Sequence, residues 1–235
     1  MNNIASLFTF DYDRETQLWP ALLLMLAPLI SLNLLGLNVN NVVGATAGGI
    51  SLGAVITVTV AKLIHNTGKA FARRYFKGYP TTVTCLRLRE QGGYTVEQRR
   101  AKLEAVTGVQ LLTKRQETAK PAEADERLNH AINMARDKMR DQKLFPLLWR
   151  ELKSYGYWRN MCALKWWGIG LASISILVPA VVMVIAPHEH TLQRSAAMLS
   201  GAAFLLFWVF GVGQKKFEAA SERYTDQFFN GLFRL

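Results

Sequence analysis

Long apolar runs alternate with polar stretches along the chain, and they predict membrane-spanning helices. No Asp, Glu, Lys or Arg occurs between residues 18 and 61, or between residues 166 and 188. About 20 apolar residues in a helix cross a hydrocarbon core of about 30 Å. The pattern therefore predicts four transmembrane helices, at residues 18–37, 42–64, 164–186 and 195–213.

Short loops join the predicted spans into two hairpins. Residues 38–41 separate the first two spans, and residues 187–194 separate the last two. The predicted fold class is an all-α membrane protein with a basic, mainly helical cytoplasmic domain between its two hairpins. Its segments are an N-terminal interfacial segment, hairpin 1, the cytoplasmic domain, hairpin 2 and an amphipathic C-terminal helix, at residues 1–17, 18–64, 65–163, 164–213 and 214–235.

The second predicted span is rich in small and hydroxyl-bearing residues. Small residues let another helix backbone approach closely, and hydroxyls bond across such a contact. Polar groups in a span also suit a pore lining. Two interpretations stay open, a packing helix inside a bundle and a pore-lining or gating helix. Both rest on Gly44, Thr46, Gly48, Gly49, Ser51, Gly53 and Thr57.

The polar region between the hairpins predicts several short elements. Alternation of Leu and Arg favours a short strand or extended arm at residues 83–89. Thr95 and Gln98 have the spacing of a capping box, which predicts a helix ending at Gly108. Residues 109–120 are expected to form a loop. Further helices are predicted from Pro121 towards Gln142 and over residues 147–155, the latter ending at Gly156.

Two amphipathic stripes are visible in these polar segments. One consists of Leu128, Ile132, Ala135 and Met139, at spacings typical of one helix face. The other lies in the C-terminal segment and consists of Phe217, Tyr224, Phe228 and Leu232. For this second stripe we expect a helix lying on the cytoplasmic leaflet, or alternatively a contact between copies of the chain.

The charge of the chain is strongly positive, at +11 overall. Residues 62–165 hold 22 Lys and Arg and 10 Asp and Glu, whereas the two hairpin loops hold one Glu and one Arg between them. Positive residues close to span ends stay on the cytoplasmic side. The sequence thus predicts a multi-pass membrane protein with both termini and the central domain in the cytoplasm.

The basic residues of the central domain have two explanations. Positive-inside bias and binding to anionic lipid account for those beside the spans. Others lie 20 or more residues from Lys62, and they indicate either an ordinary solvated surface or a patch for a polyanion. The candidate ligand-binding residues are Lys69, Arg73, Arg87, Arg89, Arg99, Arg100, Lys114 and Arg115.

Motifs for catalysis are absent from the sequence, so we expect no enzyme activity and no cofactor. His188 and His190 lack a defined third ligand, and we predict no metal site. The spans carry no acidic residue of the kind that proton-coupled transporters keep. A passive pore needs none, but four helices cannot enclose one, so a channel requires a homo-oligomer.

Three pieces of the central region resemble a group of small bacterial multi-span membrane proteins found in anti-phage islands. They are YPTT followed by LR at residues 79–87, RRAKL at residues 99–103, and YGYWRN at residues 155–160, just before a span. The similarity covers residues 78–165, and within the group it is greatest to the membrane subunit of Hailong-type defence. The Kiwa membrane subunit, a four-span sensor that works with a cytosolic DNA-binding partner, is similar in topology.

The resemblance implies a function for the chain. In Hailong-type systems a partner nucleotidyltransferase makes a DNA oligomer, which controls an oligomeric membrane channel. By that resemblance we expect a homo-oligomeric ion channel of the bacterial inner membrane, gated by an oligonucleotide or nucleotide. We also expect a cytosolic partner such as a nucleotidyltransferase. The alternative is a non-conducting membrane sensor or scaffold that recruits a cytosolic defence partner.

Overall fold

The computed structural model of the chain describes residues 12, 14–35, 52–186 and 190–235. All regular structure within these ranges is helical. The α-helices in chain order are α1 (Trp19–Leu34), α2 (Leu52–Tyr75), α3 (Thr81–Thr84), α4 (Tyr94–Thr107), α5 (Lys114–Ala119), α6 (Pro121–Lys138), α7 (Pro146–Ile185), α8 (Thr191–Leu206) and α9 (Gln214–Leu232). Five-residue π-helical turns precede α1 at Arg14–Leu18 and follow α8 at Phe207–Gly211.

The chain divides into two compact units. The span unit comprises the described parts of Met1–Phe71 and Gly156–Phe217. The polar unit comprises Ala72–Tyr155 and Glu218–Leu235. Helices α2, α7 and α9 each contribute residues to both units, so every crossing of the chain from one unit to the other falls inside a helix.

Three of the described helical segments are long and apolar enough to cross a membrane. They are Glu15–Leu34, Pro146–Ile185 and Thr191–Gly211, which contain most of the first, third and fourth predicted spans. Many of their large apolar side chains face outward, as shown by Leu199 and Val184, which are 72% and 82% exposed. Outward apolar faces of this extent are typical of helices in lipid. The helices therefore indicate a membrane protein.

The first ten residues of the second predicted span, 42–51, lie outside the described residues. Of its glycines and hydroxyl residues, Gly44, Thr46, Gly48, Gly49 and Ser51 fall in the range that is not described. Helix α2 begins at Leu52 and includes Gly53 and Thr57, but the surroundings of these two residues are also outside the description. The four-span arrangement and the role of this helix therefore stay predictions.

The predicted helix end at Gly156 is wrong, because α7 runs without a break from Pro146 to Ile185. A Cβ atom on Gly156 would lie 2.7 Å from Cγ2 of Thr16 and 2.9 Å from the hydroxyl of Tyr12. The glycine is there because the N-terminal turn passes close to α7. Gly156 permits this close approach because it has no Cβ atom, and it does not end a helix.

Helix α6 is the centre of the polar unit and contacts α3, α4 and α5. The stripe predicted on it, from Leu128 to Met139, is buried in the core, with every member at most 1% exposed. Pro121 is the first residue of α6, as expected, and the helix ends at Lys138. The hydrophobic core of this unit is thus assembled around one amphipathic helix.

The apolar face of α9 packs inside the protein, contrary to the expected contacts with a membrane leaflet or another copy. Tyr224, Phe228 and Leu232 join the core of the polar unit, together with Phe229. Tyr224 stacks on Tyr155 with ring centroids 5.7 Å apart. The sequence pattern showed that this face is buried, but it could not show what buries it.

The predicted strand at residues 83–89 is wrong, because the structure has helix α3 followed by turns. The carbonyl of Pro80 accepts hydrogen bonds from the amides of Val83 and Thr84, which starts the helix. Val83 and Leu86 are both fully buried, and their spacing of three places them on the same side of a helical turn. Burial of Val83 and Leu86 at helical spacing therefore decides the conformation, and the alternation of Leu and Arg at residues 86–89 does not produce a strand.

The capping box belongs to a different helix from the one predicted. Helix α4 begins at Tyr94 after Gly93 and ends, as expected, before Gly108, which has a positive φ of 72°. The capping box occurs instead at Thr113, whose amide donates to Oε1 of Gln116 at 3.0 Å. It opens α5 in the middle of residues 109–120, where we expected only a loop.

Candidate functional site

Two of the predicted ligand-binding arginines, Arg87 and Arg89, share one carboxylate inside the polar unit. Arg87 donates to Asp125 from Nε at 3.0 Å and from Nη2 at 2.9 Å. Nη2 of Arg89 lies 2.8 and 2.9 Å from the two oxygens of the same carboxylate. All three side chains are at most 16% exposed. These arginines therefore hold the turn after α3 against α6.

A second buried carboxylate neutralises a further predicted residue, Arg100. Glu117 is fully buried and accepts a hydrogen bond from the amide of Leu88 at 2.9 Å. Nη1 of Arg100 lies 3.7 Å from this carboxylate and donates to the carbonyl of Leu86 at 2.8 Å. Burial lowers the pKa of the Arg100 guanidinium, while Glu117 raises it in part.

Arg99 lies at the edge of the same unit and has two contacts. Its Nη2 donates to Oδ1 of Asp226 at 3.0 Å. Its guanidinium carbon lies 4.6 Å from the ring centroid of Phe229, which is a cation–π distance. The four arginines at residues 87–100 thus have acidic partners that the sequence analysis did not identify, namely Asp125, Glu117 and Asp226.

The remaining candidate cations face outward. Lys69 is exposed on α2 in the span unit. Arg73, Lys114 and Arg115 are exposed in the polar unit. Within the described part of the chain, no acidic side chain forms an ion pair with any of these four. These four cations are available to an anionic ligand, while the four arginines at residues 87–100 already have acidic partners.

The polar unit has an open cleft of about 410 Å³ beside α5 and the start of α6. Glu123 stands in its wall and pairs with Lys120 at 3.1 Å and with Arg127 at 2.9 Å. Lys120 first, and then Arg127, lower the pKa of the Glu123 carboxyl. The other lining residues are Gln110, Leu111, Leu112, Gln116 and Ala119.

Three side chains, two from α4 and one from α6, fix the loop that forms one wall of this cleft. Glu104 accepts the amide of Leu111 at 2.6 Å, and Arg100 donates to the carbonyl of Leu112 at 2.5 Å. Arg127 donates to the carbonyl of Gln110 at 3.4 Å. Residues 110–112 are therefore irregular in conformation but held in place, as in a preorganised binding loop.

A second cleft of about 290 Å³ lies on the other end of α6. Its floor is apolar and includes the buried residues Met139, Leu148 and Tyr224. Arg136 and Arg140 stand on its rim. This cleft has cations like the first, but it offers no amide side chain, so it serves as a natural control for binding experiments.

In the span unit, donors from other helices satisfy two backbone carbonyls that prolines leave without a helical hydrogen bond. Pro20 has no amide hydrogen for the carbonyl of Thr16, and Nδ2 of Asn160 donates to that carbonyl at 2.6 Å. Pro179 likewise leaves the carbonyl of Ser175 without its helical donor, and the hydroxyl of Ser31 donates to it at 3.3 Å. In lipid such carbonyls need a partner.

Basic side chains satisfy the helix ends of the span unit. Lys165 donates to the carbonyls of Val209 and Val212 at 3.1 and 2.7 Å, where the π-helical turn after α8 ends. Arg194, which is 5% exposed, donates to the carbonyl of Ala186 just after α7. Cations at these positions also complement the negative end of each helix dipole.

Comparison of the chain with protein-family models, with curated proteins and with solved structures gave no match. Among the described residues, no group of three His, Cys, Asp or Glu side chains could hold a metal ion. His188 lies outside the described ranges.

Proposed function

We propose that this chain is a homo-oligomeric ion-channel effector of the bacterial inner membrane, gated by an anionic cytoplasmic ligand of the oligonucleotide or nucleotide class. The proposal rests on one observation: some cations of the polar unit have acidic partners and others do not. Its internal arginines are paired with buried carboxylates, while Arg73, Lys114 and Arg115 face solvent without acidic partners among the described residues. Exposed cations of this kind attract polyanions.

A gating role requires that binding at one unit changes the other. Every crossing between the two units occurs inside a helix, in α2, α7 or α9. A helix transmits a displacement along its axis, whereas a flexible linker absorbs it. The continuous helices therefore support coupling between ligand binding and the spans.

The conducting pathway is proposed from the sequence of the second span. Its glycines permit close helix contacts and its hydroxyls suit a pore lining. Four spans are too few to enclose a pore, so the conducting form is a homo-oligomer in an anionic lipid membrane. The role in anti-phage defence, and a nucleotidyltransferase as the source of the ligand, rest on the resemblance of residues 78–165.

The decisive test is ion flux from liposomes that contain the purified chain, with and without short DNA oligonucleotides. We expect the oligonucleotide to change the flux. The double change Lys114→Glu and Arg115→Glu should weaken this response, because it reverses two exposed charges. The matched control is Arg140→Glu with Lys143→Glu, which reverses two exposed cations outside the candidate set.

Three outcomes separate the possibilities. A response lost in the first variant and kept in the control supports a ligand-gated pore. An equal loss in both variants indicates general electrostatic attraction rather than a site. Absence of flux under all conditions, in a preparation that is folded and inserted, overturns the channel and favours a non-conducting scaffold that recruits a cytosolic partner.

A further inference from the structure

We propose that the 410 Å³ cleft beside α5 is the receptor site for one nucleotide unit of the anionic ligand. The inference rests on the proposed function and names the place and chemistry of recognition. The volume of the cleft lies in the range of small-molecule sites, which is about 300–1,000 Å³. Its residues provide the two kinds of group that a nucleotide requires, cations for the phosphate and neutral groups for the base.

The phosphate would meet Lys120 and Arg127. Each of these side chains donates to Glu123, but an ammonium has three donors and a guanidinium has five. Donors on both residues remain for a ligand after the ion pairs are counted. Because Glu123 holds the two cations in place, they are positioned before a phosphate arrives.

The base would meet the amides and leucines of the opposite wall. Leu111 and Leu112 are half-buried and present apolar surface on which a base can pack. Gln116 uses its Oε1 to accept from Thr113, which leaves its two amide hydrogens as donors. Together with Gln110, it offers hydrogen bonds to the edge of a base.

The loop in the wall of this cleft is held in place before a ligand binds. Three side chains, Glu104, Arg100 and Arg127, hold the backbone of the three consecutive residues 110–112. A binding loop that is ordered before the ligand arrives loses less conformational entropy on binding. The 290 Å³ cleft near Met139 lacks amide groups in its lining.

The experiment measures binding of a fluorescently labelled short DNA oligonucleotide to the full chain in nanodiscs, by anisotropy over a range of salt concentrations. The change Ala119→Trp fills the cleft without altering any charge, and its control is Ala105→Trp on the exposed side of α4. The change Lys120→Gln removes one cation, and its control is Lys143→Gln. Circular dichroism establishes that each variant is folded.

We expect Ala119→Trp to weaken binding about tenfold, as for the loss of one base contact. Lys120→Gln should weaken it and lower the salt slope by about one. Both controls should bind like the parent. If Ala119→Trp is folded and binds like the parent, the cleft is not the receptor, although the proposed function stands. If the parent itself binds no oligonucleotide, the proposed function fails as well.

Discussion

Arg100 and Arg115 carry the same charge, but the fold uses them for different purposes. Arg100 is buried, pairs with Glu117 and holds two backbone carbonyls. Arg115 is exposed on α5 and has no acidic partner among the described residues. Burying an unpaired charge is costly, so the buried arginine requires its carboxylate. At the scale of single residues, the surroundings decide whether a cation supports the fold or remains available to a ligand.

The thiol of Cys85 has a raised pKa in the folded protein. Burial raises its pKa to about 11 from an ordinary value of 9.0, although Arg99 opposes the shift. Since the thiolate is the reactive form, we expect alkylation of Cys85 at pH 8 to be about one hundredfold slower in the folded protein than in the denatured protein.

The rate should rise with pH up to about 11, because the fraction of thiolate rises until the pH reaches the pKa. The measurement is iodoacetamide labelling followed by mass spectrometry. The Cys162→Ser variant removes the other thiol, and Ser can still donate to the carbonyl of Gly213. Labelling of the folded variant within threefold of the denatured rate would contradict the shifted pKa.

Interruptions in the helices of the span unit fall where another helix comes close. Pro179 in α7 frees the carbonyl of Ser175, and Ser31 donates to it. At the same level, a Cβ on Gly201 of α8 would lie 3.1 Å from the carbonyl carbon of Ser175. Helices α1, α7 and α8 thus meet one turn before Pro179. Gly201 permits the close contact there, and the hydroxyl of Ser31 satisfies the carbonyl that the proline leaves without a donor.

This contact makes a prediction about two glycines of the span unit. Gly201→Leu should destabilise the helix packing by about 1–3 kcal/mol, because the new side chain meets the backbone of α7. Gly170→Leu is the matched control, since nothing lies within 4 Å of its Cβ position. Unfolding by SDS in mixed micelles, followed by circular dichroism, measures both. Equal effects of the two changes would show that α8 does not pack as described.

At the scale of the whole molecule, the polar unit combines a hydrophobic core with buried ion pairs. Asp125 and Glu117 join the turn after α3 to α4, α5 and α6 through three arginines. The network orients the short elements around α6, while Lys114 and Arg115 of α5 face solvent without acidic partners among the described residues. The same fold therefore supplies both a stable core and a basic surface.

The network predicts unequal effects for two aspartates. Asp125→Ala leaves Arg87 and Arg89, whose side chains are 13% and 16% exposed, without their main partner. The change should cost about 3–5 kcal/mol of unfolding free energy. Asp226→Ala removes an ion pair whose carboxylate is 63% exposed and should cost at most about 1 kcal/mol. Urea unfolding of the polar unit within the full chain compares them. Similar midpoints for both variants would remove the network as a source of stability.

The sequence by itself determined the features that repeat locally along the chain. Apolar runs located the three described helices that are long and apolar enough to cross a membrane. The stripe on residues 128–139 located the central helix of the polar unit. Pro121 and Gly108 marked helix ends as expected. These features are predictable because periodicity and the preferences of proline and glycine act over a few residues.

Only the tertiary structure decided the features that depend on distant partners. Arg87 meets Asp125 across 38 positions of sequence, and Asn160 meets the carbonyl of Thr16 across 144. No local pattern pairs such residues. Gly156 likewise suggested a helix end until the close approach of Thr16 explained it. Packing brings these groups together, because a buried polar group needs a partner wherever in the sequence that partner lies.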